Sequence, residues 1–178
     1  MPKSSLTPAQ VKAAVVASTV LGAGCLAAYW LVDSVRPNVY TASATDNALG
    51  GLWAVIATIV VTRTGYAESQ KAAVGRLLST LIGFALCEVY LIFLPFHLWA
   101  FALLLGLSTL ATALLRRPDA AVTAAVTTAV VMISAQISPE HAWRLPILRL
   151  ADTIVGLIVG LAAARLLTWI NDRLHLAP

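Results

Sequence analysis

Six apolar runs, separated by short breaks that hold the prolines and most of the charges, divide this chain along its length. They extend from Val11 to Val32, Ala48 to Thr62, Ala72 to Leu94, Leu98 to Leu115, Ala120 to Ile137, and from just after Pro146 to Ile170. A helix rises about 1.5 Å per residue, so about 20 apolar residues cross a bilayer core of about 30 Å. Residues 2, 8, 37, 95, 118, 139, 146 and 178 are the prolines, and all lie between or beside runs, as helix punctuation. Composition closes off the alternatives. The 178 residues are 60% apolar and 11% charged, whereas soluble domains carry about 25% charge and 45–50% apolar residues. An ordinary soluble enzyme and a disordered tail are both excluded. The expected fold is an all-α integral membrane protein with six transmembrane helices, residues 1–178 forming one domain with no soluble module.

The net charge of +4 does not point to nucleic acid, because too few basic residues exist to line a phosphate track. It does set an orientation. With the N-terminus inside, the inner segments hold Lys3, Lys12, Arg63, Lys71, Arg76, Arg116, Arg117, Arg165 and Arg173, and the outer ones only Arg36, Arg144 and Arg149. That bias predicts both termini in the cytoplasm of a cell membrane, the inner membrane in a bacterium. A cleaved signal peptide is the alternative for the first run, but its apolar stretch is longer than the ~7–15 residues of such a segment.

An internal repeat links the two halves. Arg76-Leu-Leu-Ser-Thr80-Leu-Ile-Gly83 is answered 73 residues later by Arg149-Leu-Ala-Asp-Thr153-Ile-Val-Gly156. More faintly, Thr58-Ile-Val-Val is answered by Thr128-Ala-Val-Val, 70 residues later. The repeats cover about 11–94 and 98–170. Three helices is an odd number, so the copies cross the membrane in opposite senses, as inverted repeats of transporters do. The same architecture uses matched short segments. The second run is short, at about 22 Å if helical, and the fifth is polar for its place, with Thr123, Thr127, Thr128, Ser134 and Gln136.

With these residues in view, the sequence resembles the aromatic acid exporter, or fusaric-acid-resistance (FUSC-like), membrane proteins. The resemblance rests on Trp53 to Val61 with its following polar loop, on Arg76-x3-Thr80-x2-Gly83, and on Arg149-x3-Thr153-x2-Gly156-x3-Gly160. It covers roughly residues 45 to 170. It implies export of aromatic carboxylic acids or related anions across the inner membrane at the expense of the proton gradient, with plant malate channels as distant relatives. The chain is expected to be a short form without the cytoplasmic domain of larger members, working alone, as a homo-oligomer (a dimer), or only with a partner subunit.

At 100° per residue, positions 80, 83 and 87 fall within about 40° of Arg76, and 153, 156 and 160 repeat that stripe from Arg149. Each stripe starts with a cation near the beginning of its run, where the helix dipole adds positive charge and a guanidinium can hold a carboxylate by two bonds. Arg76, Thr80, Arg149, Thr153, Thr58, Thr128 and Trp53 are therefore the candidate substrate-binding residues, Trp53 as a stacking platform or a core residue. The competing reading is that the arginines snorkel to headgroups while the small residues pack helices. Glu88 and Asp152 are the candidate proton-coupling acids. Glu88 lies about 120° from Arg76 around the helix, off the stripe. Asp152 stands where it can pair with Arg149, and the first copy has Ser79 in its place.

Cys25 and Cys87 sit inside apolar runs without paired spacing, and His97, His141 and His175 stand apart. No metal site, cofactor or enzymatic activity is expected, and no phosphate loop or nucleophile elbow appears. Trp30, Trp99, Trp143 and Trp169 read as interfacial anchors. The leading expectation is a proton-coupled secondary exporter of small organic or aromatic carboxylates. A passive anion channel and a non-transporting assembly scaffold are the alternatives.

Overall fold

The computed structural model describes residues 7–39, 44–63, 65–137 and 144–174. Six α-helices account for most of them: α1 Pro8–Val39, α2 Ala44–Val61, α3 Tyr66–Phe93, α4 Leu98–Leu114, α5 Ala121–Ile137 and α6 Arg144–Leu174, with a 3-10 turn at Pro118–Ala120 before α5. Each helix overlaps one of the six apolar runs, and no strand occurs among the described residues. Lys3, His141, Trp143 and His175, and the side chains of Arg36 and Arg144, lie outside the described residues.

Local chemistry explains the boundaries. Thr7 and Gln10 form a reciprocal cap, in which the Thr7 N–H donates to Gln10 Oε1 at 2.9 Å and the Gln10 N–H to Thr7 Oγ1 at 3.4 Å. Pro8 occupies the first helical position, where its missing N–H costs nothing. The turn between α2 and α3 is closed by buried Ser69, whose hydroxyl accepts from the Arg63 N–H and donates to the Gly65 carbonyl. At the end of α4, Arg116 takes a left-handed φ of 56°. Its N–H reaches the Ala113 carbonyl and the Arg117 N–H the Thr112 carbonyl, the paired bonds of a Schellman stop followed by Pro118.

The helices reach beyond the apolar runs. Between Asp33 and Asn47, α1 continues to Val39 with Pro37 in its last turn, and α2 begins at Ala44. A proline near a helix end removes few internal bonds, so it does not stop the helix ahead of itself. Helix α3 begins at Tyr66, six residues before the apolar run, because Glu68, Ser69, Gln70 and Lys71 are compatible with a helix extending past the hydrocarbon.

Four segments are long and apolar enough to cross a membrane, Pro8–Val35, Tyr66–Phe93, Pro118–Ile137 and Ile147–Leu174. The apolar helices Asn47–Val61 and Leu98–Leu114 are shorter. Every helix turns large apolar side chains outward, among them Leu26, Leu52, Phe93, Leu98, Val122 and Ile158. Water would not tolerate this surface, and lipid solvates it. The chain is a multi-pass membrane protein.

The structure divides into two compact units, one of residues 1–73 and 155–178, the other of residues 74–154. In the first, α1 packs on α2, and Ala28, Val32 and Ala54 are joined by Val155 and Val159 of α6. Gly156 lets α6 close on α2: a Cβ there would meet Ala54 O and, at 2.6 Å, Ala57 Cβ. Four residues on, Gly160 faces Thr58 O and Val61. The contacts rise together along both helices, so α2 and the second half of α6 run in the same direction. Thr58 Oγ1 lies 2.9 Å from Ala54 O and 3.2 Å from Gly156 O, so its hydroxyl serves its own helix and the neighbour.

In the second unit α4 packs on α5, around a core of Cys87, Leu104, Val131 and Met132. Here Gly83 of α3 is the close-packing glycine, with Thr128 Oγ1, Ala124 O and Thr127 Cβ 3.1–3.2 Å from where a Cβ would stand. Cys87 Sγ approaches the Thr128 carbonyl at 3.9 Å. Again the contacts rise together, and α3 runs parallel to α5.

Candidate functional site

The two sequence stripes are buried faces of their helices. On α3, Arg76, Ser79, Thr80, Gly83 and Cys87 are all buried, and on α6 so are Arg149, Asp152, Thr153, Gly156 and Gly160. Arg76 is 4% exposed and Arg149 1%. Snorkelling requires a head group in water or among phosphates, so neither arginine is an interfacial anchor. Nor does either sit in the opening turn of its helix. Arg76 comes ten residues after Tyr66 because α3 starts early, and Arg149 five after Arg144. The helix-terminal charge fades within the first turn, so the expected dipole assistance is absent, and these are cations inside the protein.

The second unit gathers most of the buried polar side chains. It holds Arg76, Ser79, Thr80, Ser108, Thr112, Thr127, Thr128, Ser134, Arg149, Asp152 and Thr153, against Thr58 and Ser69 in the first unit. Arg149 Nη1 donates to Asp152 Oδ2 at 3.1 Å, a fully buried ion pair one turn long. Thr153 Oγ1 donates to the Arg149 carbonyl at 2.8 Å, and Ser79 Oγ lies 3.0 Å from the Arg76 carbonyl. By contrast, Thr80 Oγ1, Thr128 Oγ1 and Glu88 Oε2 are buried oxygens without a hydrogen-bond partner among the described residues. Buried polar atoms are almost always satisfied, so these are places where a ligand or water would gain a bond.

Among the sequence-predicted residues, Arg76, Thr80, Glu88, Thr128, Arg149, Asp152 and Thr153 fall in the second unit, whereas Trp53 and Thr58 fall in the first. Trp53 is 3% exposed. Glu88 is half-buried. Sequence reasoning missed Ser79, Ser108 and Thr112 as buried polar positions. The last two carried a signal: with Ala100 and Leu104 they form a four-residue period, the buried face of an otherwise leucine-rich helix.

A cleft of about 640 Å³ beside the α3–α4 turn is lined by Leu91 to Phe96, Ala135 and Gln136, and by none of the nine candidate residues. At that turn His97 is not solitary. Its Nδ1 donates to the Pro95 carbonyl at 2.8 Å and lies 3.0 Å from Tyr90 Oη, with Trp99 beside the ring. This is a fastening of the turn. Trp30, Trp99 and Trp169 are exposed, as interfacial anchors are, and Arg173 covers the Trp169 ring. Among the described residues no group of His, Cys, Asp and Glu could hold a metal ion.

Buried arginines and hydroxyls in helices whose outer surface is apolar define a multi-pass membrane protein. The model of the fusaric acid resistance protein-like family matches residues 40–163, and the chain belongs to that family of membrane transport or resistance proteins. No curated protein and no solved structure matches it.

Proposed function

We propose that this chain is a secondary exporter of small organic anions, aromatic carboxylates foremost, driven by protons across the bacterial inner membrane. The observation that carries this reading is the burial of Arg76 and Arg149 among serine and threonine hydroxyls in helices whose outer surface is apolar. Charge inside a membrane protein is costly, and where it is retained it serves a pathway or a coupling site. Two guanidiniums have the geometry to hold carboxylates. Thr80, Thr153 and Thr128 supply hydroxyls. Asp152 and Glu88 are the acids available to a coupling proton.

The architecture that goes with this function is one six-helix domain of two inverted three-helix repeats, with both termini cytoplasmic. Supporting it are the parallel pairs α2–α6 and α3–α5. Helices separated by an even number of crossings must run the same way if all six span, and both pairs satisfy that. The glycine contacts support the repeat as well. Gly156 meets Ala54 and Ala57, while Gly83 meets Ala124 and Thr127, residues 70 positions further along. A homodimer is the assembly we assign, with small anions and the bilayer as the other partners.

Reconstitution tests the function directly. Efflux of benzoate from proteoliposomes under an imposed proton gradient is expected with the native chain, and is expected to fall at least about tenfold on Arg76→Gln or Arg149→Gln, with lysine restoring only part. Gradient-independent anion current that survives Asp152→Asn and Glu88→Gln replaces the exporter with a passive channel. Absence of any flux leaves the transport reading without support.

A further inference from the structure

The aromatic pair Tyr29-Trp30 borders a groove of about 540 Å³ on α1, lined by Leu26, Ala27, Tyr29, Trp30 and Asp33. At 100° per residue, positions 29, 30 and 33 fall within about 60° of Leu26, so these four share one helix face. All four are exposed. Tyr29 is nevertheless set in place by α2, because a Cβ at Gly51 would stand 2.6 Å from its ring. Among the described residues nothing bonds to or pairs with the Asp33 carboxylate, the Tyr29 hydroxyl or the Trp30 N–H.

The order of residues along this face matches the order of chemical groups across a membrane interface. The apolar segment Pro8–Val35 ends two residues beyond Asp33, and Leu26 lies about 10 Å back along the helix. A headgroup layer is about 5–8 Å deep on each side of the hydrocarbon. Leu26 and Ala27 therefore lie at the level of acyl chains, Tyr29 and Trp30 at the glycerol level, and Asp33 among headgroups. We propose that the groove binds a phospholipid with a primary-ammonium headgroup, phosphatidylethanolamine being the type.

Charge and hydrogen bonding make the selection. The carboxylate attracts an ammonium and repels a headgroup whose only charge is its phosphate. A primary ammonium also donates a charge-assisted hydrogen bond to the carboxylate, which the quaternary nitrogen of choline cannot do. The Tyr29 hydroxyl and the Trp30 N–H are donors at the level of the phosphate and ester oxygens. The site needs only a membrane-embedded α1, and it is independent of what the chain transports.

The test adds phosphatidylethanolamine, phosphatidylcholine or phosphatidylglycerol, with identical acyl chains, to the delipidated chain in detergent. The lipid-dependent rise in unfolding temperature gives an apparent affinity for each, and native mass spectrometry counts the lipid retained. The native chain should hold phosphatidylethanolamine at least about fivefold more tightly than either of the others. In Asp33→Asn the preference should fall below about twofold, while Asp33→Glu should keep it. Asp172→Asn, at an exposed acid on α6, should leave it unchanged, which separates the groove from a general loss of acidic charge. Trp30→Leu keeps an apolar surface and removes a donor, so it should weaken all three lipids together. If Asp33→Asn fails to fold, the native ranking and Trp30→Leu decide. Glycerophosphoethanolamine, the headgroup without chains, should give no shift at the same concentration, and an equal shift would overturn a lipid occupant. Equal affinities for the three lipids in the native chain, an ethanolamine preference that survives Asp33→Asn, or lipid binding unchanged in Trp30→Leu overturns the site.

Discussion

Gly83 and Gly156 stand 73 positions apart, and each is the point where a long helix closes against a short one: Gly83 on Ala124 and Thr127 of α5, Gly156 on Ala54 and Ala57 of α2. The two contacts are not equally tight. At Gly83 an added Cβ would stand 3.1 Å or more from its neighbours, whereas at Gly156 it would strike a backbone carbonyl and Ala57 Cβ at 2.6 Å. Gly156→Ala is therefore expected to destabilise by about 1–3 kcal/mol and Gly83→Ala by less. Gly106→Ala, with open space around it, should be neutral or gain up to about 1 kcal/mol from helix propensity. Thermal unfolding of purified protein in one detergent ranks the three, and equal effects would show that these contacts are not close-packed.

Thr58 links two helices through one hydroxyl. Thr58→Val keeps the shape and removes the bond to the Gly156 carbonyl, so the expected loss is about 0.5–2 kcal/mol. Thr62→Val, at a part-buried site with a longer 3.4 Å contact to Gly160 O, should cost less. Chemical unfolding of the two variants checks the order.

The Arg149–Asp152 pair should behave as a unit. Removing one partner takes this counter-charge from a buried group and is expected to cost about 3–5 kcal/mol, while Arg149→Gln with Asp152→Asn together should cost clearly less than the two single changes added. Additive losses in a double-mutant cycle would mean the two side chains do not interact.

Arg116 holds a left-handed φ where glycine is the usual residue. Arg116→Gly should stabilise the end of α4 by about 0.5–1 kcal/mol, provided the gain from relieved strain exceeds the added freedom of the unfolded chain. Anion flux should be unchanged, since the residue is exposed beyond the helix end. A lower unfolding temperature would show that the guanidinium makes a stabilising contact.

Topology is checked by labelling single cysteines placed at Glu68, Pro118, Asn38 and His141 in a chain with Cys25 and Cys87 replaced. Positions 68 and 118 should react only after permeabilisation, and 38 and 141 without it. The reverse pattern would invert the orientation.

Most of the helical layout was legible in the sequence because lipid imposes one rule on every segment, and a run of apolar residues obeys it wherever its neighbours lie. The stripes of Arg76 and Arg149 were legible for a related reason: small and polar residues at helical spacing in an apolar run have to face protein. The depth of the arginines was not. Their apolar runs suggested helix beginnings, but polar residues such as Ser69 and Gln70 extend α3 six residues upstream, so that Arg76 stands ten residues after Tyr66. The burial of Ser79 was not legible, because a serine beside a threonine in such a run has no distinctive spacing. Its burial is decided by which helix lies opposite, and that is settled only by tertiary packing.

The partner that Thr58 meets at Gly156 is 98 residues away in the chain, whereas Cys87 meets Thr128 across 41. During synthesis at about 5–20 residues per second, α2 therefore waits roughly 5–20 s for its neighbour to be made, more than twice as long as α3 waits for α5. Throughout that interval Thr58 has α1 beside it at Gly24 but not yet the carbonyl of Gly156. The unit of residues 74–154 is continuous and closes first, so the last helix to emerge completes the part of the molecule that was begun earliest.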